Sequence, residues 1–180
     1  MNTALINKEA YKYGIINGLI GILVLYGTWA AGMKPFFWAQ LYGTVIPYMI
    51  ILLIIGGFQL RKANGGYLSF KEGLRFSFLS YVISAVMIAI ATYILYNLID
   101  PALTQKSFEI GLEQSQKMLE KMHASEEVIE KTLADAQKKQ SETSVKTIFL
   151  GLGLELIVCF VKSLIVTLFI RKEKPVSFEL

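Results

Sequence analysis

Histidine and cysteine each occur once in this chain, as His123 and Cys159. A single thiol excludes an internal disulfide. One of each also leaves no cluster at metal-ligand spacing and no nucleophile with a matching base. No catalytic set, metal site or cofactor is implied. Charged residues make up only 18% of the chain, and proline occurs four times. Low-complexity tracts and internal repeats are missing. Long polar stretches are scarce too, for only Asp100 to Lys146 is one.

What is present is apolar sequence, 54% of 180 residues, with a formal charge of +4. That composition belongs to the membrane class. The basic residues cluster beside the ends of apolar runs, which points to a lipid bilayer as partner and away from nucleic acid.

Four runs are long enough to span a bilayer. The first goes from about Gly14 to Met33, after Lys8 and Lys12. Its basic start and Thr28-Trp29-Ala30 resemble a signal peptide and cleavage site, but the run is longer than a signal core and reads as an uncleaved helix. Gly14, Gly18 and Gly21 share a face that admits close approach of a neighbouring helix or a second copy. Asn17 lies in the same region and needs a hydrogen-bond partner there.

Gly32-Met33-Lys34-Pro35 is a stop and turn, surrounded by Trp29, Phe36, Phe37, Trp38 and Tyr42 as an interfacial aromatic belt. The second run extends from about Phe37 to Leu60, with a kink expected at Pro47 and a looser end at Gly56-Gly57. Arg61-Lys62-Ala63-Asn64-Gly65-Gly66 then makes a basic turn. Ser69 and Glu72 form a capping box that opens the third run, Phe70 to about Ile99. Arg61, Lys62, Lys71 and Arg75 fall at headgroup height. A phosphate cradle is conceivable at the Gly-Gly turn, but contact with anionic lipid is the simpler reading.

The fourth run, about Thr147 to Ile170, carries Glu155 and Lys162 inside apolar sequence. Seven residues apart, they share nearly one helix face about 10 Å apart along the axis, with Cys159 between them. A charge at mid-bilayer costs at least about 2.5 kcal/mol, so both should face inward. Asn17, Asn97, Gln59, Tyr93 and Tyr96 are candidate partners. An intramembrane ionisable pair suggests a functional site, but a structural pairing of Glu155 with lysine snorkelling at Lys162 is the preferred reading.

The polar stretch restarts at Asp100-Pro101, an N-cap followed by a residue suited to the first helical position. Apolar residues recur at Phe108, Leu112, Leu119 and Met122, and again at Ile129, Leu133 and Ala136. Each set is a narrow stripe on a charged helix. Ser125 ahead of Glu126 and Glu127 begins a new helix, so His123-Ala124-Ser125 is the expected tip of an antiparallel hairpin. Each arm of roughly 20 residues reaches about 30 Å.

The expected architecture is all-α and integral to the membrane: three spans over 1–99, a hairpin insert over 100–146, and a fourth span with a basic tail over 147–180. The positive-inside rule sets both termini in the cytoplasm and the hairpin outside it. The hairpin's seven lysines stand against nine acids, and long loops weigh little in that rule.

With Gly14, Gly18 and the stretch from Arg61 to Gly73 in view, the chain resembles the domain of unknown function 4199 family. These are small membrane proteins typical of the Bacteroidetes. The Asp100-Pro101 junction and the charged insert fit as well. The resemblance covers nearly the whole chain and implies no activity, cofactor or catalytic residue. An enzyme is the weakest functional reading. An inner-membrane accessory or assembly protein, offering the hairpin to a protein partner or a second copy, is the best supported. A small-molecule or ion transporter subunit using Glu155 and Lys162 is the alternative.

Overall fold

The computed structural model describes residues 3–43, 47–141 and 145–174. The chain is all-α, with α1 Thr3–Ala30, α2 Met33–Gly43, α3 Tyr48–Ala63, α4 Phe70–Ile94, α5 Leu103–Lys121, α6 Glu126–Ser141 and α7 Val145–Ile170. Leu95–Ile99 continues α4 as a short π-helix. Among the described residues three helical stretches are long and apolar enough to cross a membrane: Thr3–Ala30, Phe70–Ile99 and Gly153–Ile170. A fourth exists if α2 and α3, bent by 51° to one another, count as one span.

That bend is the kink expected in the second run. The break falls at Pro47, whose ring cannot continue the backbone ladder, and residues 44–46 lie outside the described set. α3 alone, at 16 residues, reaches only about 24 Å, short of a 30 Å hydrocarbon core. Helix α2 begins earlier than expected, at Met33. Gly32 makes the turn at φ 112°, and Pro35 sits harmlessly in the first helical turn. The expected unbroken passage from the polar stretch into the last helix falls at 142–144, outside the described residues.

Helix α4 is the hub, packing along α1 and against α7, while α3 lies on α7. The glycine face of α1 meets α4 of the same chain. A Cβ on Gly14 would stand 2.9 Å from the Ser80 carbonyl oxygen, and one on Gly18 would run into the Met87 side chain. Serines then join the helices at their closest points. Ser80 Oγ donates to the Ala10 carbonyl at 3.1 Å. Ser77 Oγ lies 3.1 Å from both the Ser163 carbonyl and Thr167 Oγ1. Each hydroxyl also touches a carbonyl on its own helix, so no polar atom of these serines is stranded in the apolar interior.

Two apolar clusters result. The larger surrounds Leu53, Leu60, Phe76 and Ile170, and the smaller holds Leu25, Phe36, Ala91, Leu95 and Leu103. The smaller one seats the start of α5 beside α2 and the end of α4.

At the basic end, the turn after α3 is pinned to the end of α7. Gly65 and Gly66 have φ of 78° and 87°, a consecutive left-handed pair that side chains disfavour. Leu68 and Lys172 exchange both backbone hydrogen bonds, at 2.9 and 2.8 Å. Glu173 Oε1 accepts from the Phe70 N–H at 2.9 Å, and Arg61 Nη1 donates to the Ile170 carbonyl at 3.3 Å. An anion thus caps the N-terminus of α4 and a cation the C-terminus of α7, each matched to its helix dipole. The Ser69–Glu72 capping box is present as expected, with the Ser69 N–H donating to Glu72 Oε2 at 2.9 Å.

Candidate functional site

The spanning helices do not close along their whole length. Near the α2–α3 bend they leave a cavity of about 270 Å³ among α1, α2, α3, α4 and α7. Its apolar wall includes Val24, Leu25, Met49 and Ile88, and Tyr48, Gln40, Thr28 and Thr92 add polar groups. Glu155 and Lys162 of α7 both line it.

The two sit there because, over its described side chains, α7 packs closely on its neighbours only from Cys159 onward. From Gly153 to Val158 every residue of α7 is exposed on the bare protein surface, whereas Cys159, Ser163, Val166 and Thr167 are buried. Glu155 is on the open part and Lys162 at the margin of the packed part. Cys159, between them, donates its S–H to Glu155 Oε1 at 3.7 Å. Among the described residues Lys162 makes no ion pair, and Glu155 has none either.

Polar groups continue from the cavity into the packed interior. The Tyr48 hydroxyl would lie 3.6 Å from a Cβ on Gly21, another wall residue. The Tyr81 hydroxyl is buried without a hydrogen-bond partner among the described residues. Asn17, one helical turn before Gly21, is fully buried, with neither its amide oxygen nor its nitrogen paired.

The remaining candidates lie elsewhere. Asn97 is exposed and donates to the Tyr93 carbonyl at 2.9 Å, within its own helix. Gln59 accepts from the Tyr13 hydroxyl at 2.7 Å, and the Tyr96 ring lies 6.2 Å from that of Phe36. At the basic end Lys62 and Lys71 are exposed, while Arg61 caps α7 and Arg75 Nε donates to Asn7 Oδ1 at 3.0 Å.

In the polar stretch, α5 and α6 are joined by a tight turn in which His123 takes a φ of 55°. Phe108, Leu112, Leu119, Ile129 and Leu133 are half-buried. Met122 is 67% exposed and Met118 64%. An open notch of about 740 Å³, lined by Glu120, His123, Ile129 and Leu133 among others, separates the two helices near the turn. Outside the spans, Asp100 accepts from Lys106 at 3.1 Å and from Trp29 Nε1 at 3.3 Å. The Lys106 hydrogen bond is the main cause that holds its carboxyl below the usual aspartate range. Glu113 is lowered likewise by its hydrogen bond from Lys117.

The serines of α4 and the Leu68–Lys172 clasp are the elements that reading the sequence did not find. Ser77, Ser80 and Ser84, three and four residues apart behind Gly73, were a visible signal. The clasp had none, since its bonds are between main chains.

A family model described as "Protein of unknown function (DUF4199)" matches residues 12–172. No curated protein and no solved structure matches the chain.

Proposed function

The chain belongs to that family, and from this premise we propose that it is a four-span accessory protein of the bacterial inner membrane. It holds a helical hairpin, α5 and α6, outside the cytoplasm for a protein partner. In this reading α2 and α3 form one broken span, and the basic end with Lys8, Lys12, Arg61, Lys62, Lys71 and Arg171 faces the cytoplasm, following the positive-inside rule.

The observation that carries the reading is the incomplete burial of the hairpin's apolar stripes. A pair of helices that served only as a spacer would close its stripes on itself or carry none. Here the stripe residues Leu119, Ile129 and Leu133 are only half-buried and Met122 is 67% exposed, with Met118 and Val128 beside the stripes 64 and 49% exposed. Methionine is polarizable and flexible, suited to a surface that repacks on contact. A groove on the partner that accepts an amphipathic helix is the matching chemistry. The glycine face of α1 is occupied by α4, which leaves the hairpin as the surface for association.

Affinity purification of the full chain and of a chain lacking 102–141 tests this. A defined partner that copurifies with the full chain, is lost with the deletion and is lost again with Met118→Asp supports the reading. Copurification unchanged by both alterations contradicts it.

A further inference from the structure

The cavity beside α7 goes beyond the accessory reading. We propose that it binds a small zwitterion, with Lys162 holding the anionic group and Glu155 the ammonium. Four observations lead there. Two opposite charges line one cavity inside the spanning region, and neither is ion-paired among the described residues. Charges in such a place are costly unless matched, and each is matched by one end of a zwitterion. Their separation of about 10 Å along the helix suits a bridging molecule. It accommodates one charge-assisted contact of about 2.8 Å at each end and a few bonds between.

The volume points the same way. About 270 Å³ lies just below the usual range of roughly 300–1,000 Å³ for ligand sites, so the occupant is small. Val24, Leu25, Met49 and Ile88 form an apolar wall suited to short methylene segments. Tyr48, Gln40, Thr28 and Thr92 add neutral polar groups to the same wall.

A phosphoethanolamine group carries this charge pair, either as the headgroup of a bilayer lipid or as a free solute. The exposed side of Glu155 opens the cavity towards the surrounding bilayer, so both sources have access.

Two probes test the site on the full chain. In nanodiscs of equal phosphatidylethanolamine and phosphatidylglycerol, native mass spectrometry reads which lipid stays bound. In detergent free of phosphatidylethanolamine, titration with glycerophosphoethanolamine reads the solute. Wild-type protein should retain the zwitterionic lipid about tenfold over the anionic one, or bind the solute saturably. Glu155→Gln should abolish that preference while anionic lipid still binds. Lys162→Gln should lose both lipids. Val24→Phe should fill the cavity and exclude either probe with both charges intact.

Lipid retention without solute binding assigns the site to headgroups, and the converse assigns it to a solute. No preference between the lipids together with no solute binding would overturn the proposal, and that result needs no variant to fold. Wild-type selectivity preserved in both charge variants would overturn it as well.

Discussion

Leu68 and Lys172 donate a backbone N–H to each other's carbonyl, at 2.9 and 2.8 Å, across more than a hundred residues of chain. This pair ties the turn before α4 to the end of α7 and holds the two helices in register. Lys172→Pro removes one donor and leaves the Leu68 carbonyl unsatisfied, which costs about 1–3 kcal/mol. Lys172→Ala keeps the backbone and should leave the clasp intact. Hydrogen exchange at Leu68 should accelerate in the proline variant alone.

Two glycines of α1 should respond to alanine with opposite signs. A Cβ on Gly14 meets the Ser80 carbonyl at 2.9 Å, and backbone cannot yield cheaply, so Gly14→Ala should destabilise by about 1–3 kcal/mol. At Gly27 nothing lies within 4 Å, and the helix gains about 0.5–1 kcal/mol from Gly27→Ala. Unfolding in mixed micelles compares the two.

Ser77→Ala removes the hydroxyl that bridges α4 to Ser163 and Thr167. Interhelical hydrogen bonds in membranes average only about 0.6 kcal/mol, so the loss should be small. Ser77→Leu should be far worse, because the site is fully buried between two helices. The same unfolding assay reads both changes.

Asp100 gives a pH dependence. Its pKa is lowered in the fold, first by the Lys106 hydrogen bond and also by Trp29. A lowered carboxyl contributes stability above the ordinary aspartate pKa of 3.8 and loses it as the pH falls through the lowered value. Carbon NMR of the labelled carboxyl should show the Asp100 midpoint moving up towards the ordinary value in Lys106→Met.

Much of the fold was legible because bilayers permit few solutions. The apolar runs, Pro47, and the Ser69–Glu72 box each carry a local signature, and each appears where its residues put it. What was not legible depends on which helix neighbours which. Glu155 and Lys162 could be set on one face of α7, but not into a cavity shaped by Gly21, Tyr48 and Ile88 on three other helices.

The proposed arrangement of the chain across the membrane is tested most directly by cysteine labelling. In a Cys159→Ser background, Ser125→Cys reports on the turn between α5 and α6, and Lys62→Cys on the exposed basic end. With an impermeant maleimide on cells whose outer barrier is opened and inner membrane intact, position 125 should label and position 62 should label only after the inner membrane is breached. Labelling of position 62 with position 125 protected would contradict the account.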